Sequence, residues 1–365
     1  MTFPLEKFVE KSIELGHSQE FIDDTRKYIN GLVDNNLPVI FSFPHLCLLA
    51  EVSIENTKHI CESSRHDFYK RFKLMKKSGG FRVIQTPQNE LKYLQNWILK
   101  NILEKIPSHS SCKGFDKNTS IKQNAEIHLH SECILKIDLL RFFDSINEKR
   151  VYGVFKSLGY QKNLCVYLAK ICTIEQSESY YKHFKKNELK LRNYLLSKNE
   201  GILPQGAPTS PKLSNLILRR LDKRLTNLCS KHNIKYSRYA DDLTFSGKKD
   251  LLINLKKVIY KIIFDENLFV NFGKTKLITR GNSFLVTGLS VQNSKVQIIN
   301  KKKKEIEHHL HHCLKNGVIT HLIKSKISNR NFKDWLYGNI CFIYSVEEEI
   351  GKEYYEKFNK IQWPL

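Results

Sequence analysis

Two adjacent carboxylates interrupt a strand-like stretch near the middle of this chain. Residues 236–238 and 243–245 are strand-like, and the segment between them ends in Asp241 and Asp242. Neighbouring side chains on a regular strand point to opposite faces, so both acids can serve one centre only where the backbone turns. The pattern predicts a β-hairpin with the acids at its tip. On spacing alone, a solvated turn and a metal-binding site both remain open.

A third acid ends another strand-like segment. Residues 133–139 form a short apolar run of strand length, with Asp138 near its end. A helix cap or a salt-bridged strand end is the alternative role for Asp138. Two divalent ions can activate an attacking hydroxyl and stabilise a leaving pyrophosphate, and holding them takes carboxylates from separate strands. We therefore expect Asp138, Asp241 and Asp242 to meet, with Asp138 and Asp241 bridging the ions.

Positive charge is spread along the whole chain. Its 365 residues include 60 Lys and Arg against 37 Asp and Glu, a formal net charge of +23. Such a field attracts polyanions, and nucleic acid fits because phosphate contacts supply most sequence-independent affinity. Against a membrane surface, no uncharged apolar run approaches about 18 residues, and the N-terminus lacks a signal-peptide layout. We expect a cytoplasmic protein with no membrane partner.

The cysteines and histidines give no clear metal framework. Nine cysteines, an odd number without a Cys-x-x-Cys pair, predict neither a disulfide framework nor a structural zinc site. Residues 308–313 are rich in histidine, and His308 and His312 would share a helical face. Zinc is the lesser alternative there. A basic helix that contacts RNA is the preferred interpretation.

The remaining pattern predicts several lobes, because the length exceeds that of a usual single domain. Residues 65–87 predict a basic β-hairpin around a glycine turn, and the last 65 or so residues are largely helical. Ser145 and Glu148 form a capping-box pattern, and Ser210 stands as N-cap before Pro211. Residues 175–200 are polar, without a clear period, and predict an exposed insertion.

In this order the motifs resemble those of the reverse transcriptases. The resemblance covers roughly residues 65–290 and rests on residues 138–143, 203–206, 239–242 and 273–275. It implies an α+β right-hand polymerase fold with fingers, a palm of antiparallel sheet packed on helices, and a mostly helical C-terminal thumb. It also implies RNA-templated DNA synthesis from dNTPs with two Mg²⁺ ions.

The resemblance divides the chain into three parts. They are a helical N-terminal extension over residues 1–64, fingers and palm over residues 65–290, and an RNA-binding thumb over residues 291–365.

Single residues acquire roles through the same resemblance. The implied catalytic residues are Asp138, Asp241, Asp242 and Lys274, and the implied metal ligands are the three aspartates and Leu139. The implied nucleotide-binding residues are Lys76, Arg82, Phe143, Gln205 and Gly206, with Lys77 as a substitute for Lys76. Phe143 matches the aromatic beneath the incoming sugar, where a ring would clash with a 2′-hydroxyl. An ordinary core role for Phe142 or Phe143 is the alternative, as is a solvated charge for Lys274.

Two further segments resemble hallmark segments of bacterial retron reverse transcriptases. Residues 124–128 precede the first catalytic strand, and residues 286–288 follow the lysine motif. In that family the enzyme recognises a structured non-coding RNA encoded beside it. It primes from a 2′-hydroxyl of a guanosine in that RNA and makes a branched RNA–DNA called msDNA. The system acts in defence against phage, commonly with an effector protein.

RNA recognition is implied for the two hallmark segments and for a lysine run in the thumb. The residues are Asn124, Ala125, His128, Val286, Thr287, Gly288, Lys301, Lys302, Lys303 and Lys304. A solvated face is the alternative for the lysines, and a core histidine satisfied by the backbone is the alternative for His128.

Three other functions stay open. Another bacterial defence reverse transcriptase would share the carboxylates without making msDNA, through protein priming or untemplated synthesis. A group II intron enzyme fits less well, since no long maturase extension or nuclease signature is evident. A non-catalytic RNA-binding scaffold would not be expected to keep all of Asp138, Asp241, Asp242, Gln205 and Lys274.

Overall fold

The computed structural model describes residues 3–75, 79, 81–198, 200–281, 284–327 and 331–364. The helices are α1 (Leu5–Glu14), α2 (Gln19–Val33), α3 (Phe43–Leu49), α4 (Ile54–Glu62), α5 (Asn89–Asn101), α6 (Ile121–Glu126), α7 (Glu148–Ser157), α8 (Lys162–Cys172), α9 (Glu178–Tyr181), α10 (Leu189–Lys198), α11 (Ser210–Ile217), α12 (Arg219–Lys231), α13 (Lys249–Asp265), α14 (Asn300–Asn316), α15 (Val318–Lys324), α16 (Phe332–Val346) and α17 (Glu348–Asn359). The strands are β1 (Tyr69–Met75), β2 (Phe81–Pro87), β3 (Cys133–Asp138), β4 (Lys235–Tyr239), β5 (Asp242–Gly247), β6 (Lys276–Thr279), β7 (Leu285–Val286), β8 (Leu289–Ser290) and β9 (Gln297–Ile298).

A central antiparallel sheet has the strand order β4-β5-β3-β6. The predicted acidic hairpin is confirmed: Tyr239 pairs with Asp242, and Ala240 and Asp241 form the two-residue turn. Ala240 has a φ of +56°, which suits the tight turns that connect twisted strands. Separate small sheets pair β1 with β2, as predicted for the basic hairpin, and join β7, β8 and β9.

Strand β3 separates two hydrophobic cores. Because its side chains alternate, Cys133, Leu135 and Ile137 enter the larger core with the helices that pack on the sheet. Ile134, on the opposite face, enters a smaller core with β7, β8, β9 and the C-terminal helices. Asp138 has the same parity as Ile134, so it leaves the sheet on the face away from the larger core.

Residues 175–200 are largely exposed, as predicted, but they also contribute to the larger core. This segment folds into α9, a 3₁₀ turn at Lys186–Glu188 and α10. Tyr181, Leu191 and Leu195 are only 8%, 0% and 3% exposed, and they belong to the larger core. The many lysines of the segment conceal this sparse apolar face.

Two predicted helix starts also shift. Asn147, rather than Ser145, caps α7, and its side chain accepts a hydrogen bond from the Arg150 amide at 3.2 Å. The Ser145 hydroxyl instead donates to the Phe142 carbonyl at 2.7 Å. Helix α11 begins at Ser210 with Thr209 in the cap position. Over the described part of the chain, no helix has the length and apolar character needed to cross a membrane.

The contact between α16 and α17 leads to a stability prediction. A Cβ on Gly351 would collide with the main chain of Tyr344 and lie 2.6 Å from its Cβ, so Gly351→Ala overpacks the helix pair. We expect the free energy of unfolding to fall by about 1–3 kcal/mol. Urea denaturation followed by circular dichroism measures this change.

Gly338→Ala is the matched control, because a Cβ at this α16 position meets nothing within 4 Å. It should stabilise the protein by about 0.5–1 kcal/mol, since alanine loses less conformational freedom in a helix. Equal stability changes in the two variants would contradict the packing seen at Gly351.

Candidate active site

The three predicted acids are brought together by strand register. In the pairing of β3 with β5, Asp138 lies opposite Asp242. The Leu139 amide then donates to the Asp241 carbonyl at 3.0 Å, so the hairpin tip lies against the end of β3. Leu139 itself is 2% exposed, and only its main-chain carbonyl is chemically suited to an ion. The site therefore combines two chain segments about a hundred residues apart.

The carboxylates repel one another in a poorly solvated position. Burial, followed by the charges of Asp242 and Asp138, raises the pKa of Asp241 to about 6. Burial is also the main cause that raises the pKa of Asp242, and Asp138 adds to it. A divalent cation removes this repulsion, and carboxylate oxygens are the ligands that hard cations prefer. The donor set thus fits a divalent ion.

Chain donors hold both oxygens of Asp138 in this structure. The Lys274 ammonium donates to Oδ1 at 2.8 Å, and the Asn271 side-chain amide donates to Oδ2 at 2.9 Å. Within the described residues, no group of three or more His, Cys, Asp or Glu side chains is arranged to hold an ion. An ion at the aspartates would have to share the Asp138 oxygens with these donors or displace them.

Asn271 is a site residue that the sequence reasoning missed. Its main-chain amide donates to the main-chain carbonyl of Asp138 at 2.8 Å. Its main-chain carbonyl accepts from the main-chain amide of Lys274 at 3.1 Å. It thereby fixes the turn that carries Lys274 to the end of β3. The available signal was a polar residue three positions before the predicted lysine, in an otherwise apolar stretch.

A buried ion pair supports the acidic hairpin from behind. Arg238 and Asp222 are each 0% exposed, and their side chains meet at 2.7 Å. The Tyr236 hydroxyl donates to the same carboxylate at 2.8 Å. Arg238 also donates to the carbonyl of Ala240 at 3.2 Å. One guanidinium thus connects α12 to the turn residue that precedes Asp241.

A neighbouring loop closes against the same hairpin. A Cβ on Gly114 would lie 3.0 Å from the Ala240 amide nitrogen, so glycine allows this close approach. The Asn215 side chain donates to the Gly114 carbonyl at 2.8 Å and accepts from Arg238 at 3.1 Å. The hairpin tip is therefore held by the buried network on one side and by the Gly114 loop on another.

The glycine of residues 203–206 is required by geometry. Gly206 has a φ of +130°, and a Cβ there would lie 2.8 Å from Ile84 Cγ2 and 2.9 Å from the Gln85 carbonyl oxygen. The Gln205 carbonyl accepts from the Gln85 amide at 2.8 Å, which docks the loop on β2. Arg82, on the same strand, is exposed. Lys76 and Lys77 lie outside the described residues.

Phe142 and Phe143 have different environments. Phe142 is 4% exposed and belongs to the larger core. It therefore has the ordinary core role that the sequence left open for Phe142 or Phe143. Phe143 is half-buried, and its ring centroid lies 6.5 Å from that of Phe115. Phe115 in turn lies 6.4 Å from Tyr239, the first residue of the acidic turn. Phe143 therefore reaches the hairpin through an intervening ring.

The two hallmark segments pack against each other. Ala125 of α6 and Val286 of β7 belong to the same smaller core. The Thr287 hydroxyl donates to the Ile121 carbonyl at 3.3 Å. Thr287 and Gly288 form the β7–β8 turn with φ values of +47° and +84°, a conformation that explains the glycine.

Several residues expected to recognise RNA lie in the interior. Asn124, Ala125, His128 and Val286 are 0–1% exposed. The two ring nitrogens of His128 lie 2.8 and 2.7 Å from the hydroxyls of Ser246 and Ser237, so side chains rather than the backbone satisfy it. RNA recognition by these segments stays a prediction. In this structure their buried side chains can act only by shaping the surface.

The lysine run begins α14. Lys301 and Lys304 are exposed. Lys303 pairs with Glu347 at 3.1 Å, and the Lys302 ammonium lies 5.1 Å from the Trp335 ring centroid.

The histidines of α14 pack among themselves and against α15. His308 and His312 share a face, with ring centroids 4.3 Å apart. A ring nitrogen of His309 lies 2.8 Å from one of His321.

Comparison with known proteins identifies the family of this chain. The family model described as reverse transcriptase (RNA-dependent DNA polymerase) matches residues 74–329. The retron Ec86 reverse transcriptase of Escherichia coli is 33% identical over 344 residues, which span 92% of this chain and 95% of that protein. The chain belongs to the retron reverse transcriptases. It is an RNA-directed DNA polymerase, and the expected right-hand polymerase fold is confirmed.

Other relatives agree with this assignment. The retron Ec73 reverse transcriptase of Escherichia coli is 30% identical over 301 residues, 80% of this retron enzyme and 86% of the relative. The retron Mx65 reverse transcriptase of Myxococcus xanthus is 35% identical over 253 residues, 68% of this chain and 56% of the relative.

Among solved structures, telomerase from Candida albicans with a telomeric RNA fragment has a TM-score of 0.42 and 12% identity. That match covers 80% of this chain and 63% of the telomerase.

The buried ion pair gives the second prediction. Arg238→Gln leaves Asp222 buried without its charged partner, so we expect the free energy of unfolding to fall by about 3–5 kcal/mol. Arg238→Met combined with Asp222→Leu should cost less than Arg238→Gln, because no unpaired charge remains. Chemical denaturation of the purified retron enzyme measures both effects.

Lys352→Gln is the control, since Lys352 pairs with Glu348 at 2.6 Å in an exposed position of α17. Its loss should change the free energy of unfolding little, because exposed ion pairs contribute little to stability. A loss at Arg238 no larger than this would show that the buried pair does not stabilise the hairpin.

Proposed function

We propose that this chain is the polymerase of a retron that recognises its own structured non-coding RNA and makes branched msDNA. Synthesis starts at a 2′-hydroxyl of a guanosine in that RNA. The observation that carries the proposal is the extent of similarity to a retron reverse transcriptase, which spans 92% of this chain and 95% of the relative. The packing of the two hallmark segments supports it, because Ala125 and Val286 lie in the same smaller core.

The three aspartates hold the divalent ions in this proposal. Asp138, Asp241 and Asp242 supply carboxylates and Leu139 supplies a carbonyl for two Mg²⁺ ions. When bound, such ions lower the pKa of an attacking hydroxyl and stabilise the leaving pyrophosphate. The proposal assigns neutralisation of the pyrophosphate to Lys274, and its hydrogen bond to Asp138 and its 60% exposed side chain support this role. Asn271 would keep the lysine turn beside β3 through its main-chain hydrogen bond to Asp138, with or without an ion.

The dNTP lies between the fingers hairpin and the palm. Phe143 meets the sugar, and a 2′-hydroxyl would collide with its ring. Gln205 and Gly206 contact the nucleotide and template, where glycine allows the backbone to approach closely. Arg82 and Lys76 hold the triphosphate, because cationic donors suit phosphate oxygens. The exposure of Arg82 and the docking of Gln205 on β2 support this arrangement.

RNA binding is proposed for the thumb over residues 291–365, next to fingers and palm over residues 65–290 and a helical extension over residues 1–64. The exposed Lys301 and Lys304 at the start of α14 contact phosphates of an RNA stem. The turn at Thr287 and Gly288 adds shape recognition. A net charge of +23 supports a polyanionic partner.

The proposed setting is cytoplasmic antiphage defence. The partners are the cognate RNA, the msDNA product, dNTPs and an effector protein encoded nearby. This part rests on membership of the retron family.

The third prediction tests the proposed product. We expect the protein expressed with its native flanking DNA to yield a short DNA that survives RNase and changes mobility after debranching. Asp241→Asn should abolish this DNA while RNA binding stays near wild type, because only a metal ligand is lost. A denaturing gel of extracted nucleic acid and a filter-binding assay measure the two properties.

Asp250→Asn, at an exposed position of α13, is the matched control and should leave the product unchanged. Absence of branched DNA from wild type, with primer extension on an RNA template still active, would favour another defence reverse transcriptase. Full DNA synthesis by Asp241→Asn would refute the metal assignment.

A further inference from the structure

Residues 175–198 connect the two parts of the proposed nucleotide site. This segment lies between α8 and the loop of residues 203–206 in the chain. Its contacts extend to the fingers hairpin at one end and to the turn that follows β3 at the other. The proposed roles of Asp138, Phe143 and Gln205 do not include any residue of this segment.

Tyr180 contacts the residue next to Phe143. Its hydroxyl donates to Oδ2 of Asp144 at 2.7 Å, and Arg141 donates to the same oxygen at 3.1 Å. Asp144 is 7% exposed, so these donors replace the water that would otherwise solvate its carboxylate. The position of Asp144 is therefore tied to α9.

Two more residues of the segment hold Arg141. Glu188 pairs with its guanidinium at 3.0 Å, and the Phe184 ring centroid lies 3.8 Å from the guanidinium carbon. Arg141 has a φ of +42°, a conformation that a non-glycine residue keeps only when its surroundings enforce it. The turn is therefore held on both sides of Phe143, at Arg141 and at Asp144, by contacts with Tyr180, Phe184 and Glu188.

Main-chain hydrogen bonds within the turn restrain Phe143 as well. The Ser145 amide donates to the Arg141 carbonyl at 3.1 Å, and the Ile146 amide donates to the Phe143 carbonyl at 3.1 Å. Phe143 is thus held within one hydrogen-bonded turn whose flanking side chains are fixed by α9 and the 3₁₀ turn. If Asp144 lost its hydrogen-bond partners, the turn would become more mobile, and the Phe143 ring would move with it.

The other end of the segment fixes the fingers side. Gln176 and Gln85 exchange two side-chain hydrogen bonds, at 3.1 and 3.0 Å. The main-chain amide of Gln85 donates to the main-chain carbonyl of Gln205. The same segment therefore supports both Gln205 and Phe143, the two sides between which a nucleotide would lie.

We propose that residues 176–188 of this segment determine sugar specificity, with Tyr180 as a positioning residue that holds Phe143 against the 2′ position of the incoming nucleotide. This inference rests on the proposed role of Phe143. A loosened ring excludes a 2′-hydroxyl less well, whereas binding of a deoxynucleotide needs no such exclusion. The segment thus acts on discrimination more than on deoxynucleotide incorporation.

The test is single-nucleotide incorporation by the full-length protein on an RNA template. We expect Tyr180→Phe to lower the ratio of kcat/KM for dNTP over rNTP about tenfold, mainly by raising rNTP incorporation. Tyr194→Phe makes the same change in α10, where the ring packs against Phe269 at 5.7 Å, and should keep the wild-type ratio. Glu188→Gln, which removes the charge that pairs with Arg141, should shift the ratio in the same direction as Tyr180→Phe.

A double-mutant cycle separates this proposal from the role of Phe143. If Tyr180 acts through Phe143, the ratio for Tyr180→Phe combined with Phe143→Ala should equal that of Phe143→Ala alone. A wild-type ratio in both Tyr180→Phe and Glu188→Gln, with the ratio lost in Phe143→Ala, would overturn the inference and keep the role of Phe143. Additive losses would also overturn it. A wild-type ratio in Phe143→Ala would overturn both.

Discussion

The position of β3 between β5 and β6 is the constraint on which the rest of the site depends. Its register sets Asp138 opposite Asp242. Since strand side chains alternate, a slip of one residue would turn Asp138 into the larger core and Ile137 out of it. The apolar residues on the larger-core face prevent this slip. The hydrophobic pattern of one strand therefore determines where three carboxylates meet.

Bringing these carboxylates together has an electrostatic cost that the chain offsets locally. Lys274 and Asn271 satisfy Asp138, while the pKa of Asp241 rises to about 6. The hairpin is held by groups that do not face the site, chiefly the Arg238–Asp222 pair. Such support allows mutually repelling side chains to stay close before a cation arrives. Structural support and the proposed ion binding thus belong to different residues.

The sequence predicted what neighbouring residues determine. Alternation around residues 239–242 predicted the hairpin, and the apolar run before Asp138 predicted β3. Partners far apart in the chain were missed. Nothing near Arg238 indicates that Asp222 neutralises it, and the polar Asn271 in its apolar stretch marks a site residue without indicating Asp138 as its partner. The buried face of residues 175–200 was missed, because Leu191 and Leu195 are sparse among lysines. Ser145 was predicted as a cap, but its hydroxyl bonds to Phe142.

The most direct test of the shared carboxylate site is a calorimetric titration of Mn²⁺ near neutral pH. The protein would be bound to an RNA–DNA duplex with a chain-terminated primer and a dNTP. We expect wild type and Asp250→Asn to bind Mn²⁺ at a site that Asp138→Asn and Asp241→Asn both lose, since each aspartate supplies a ligand from a different strand. Equal Mn²⁺ binding by all four proteins would contradict the claim that the register of β3 and β5 builds the ion site.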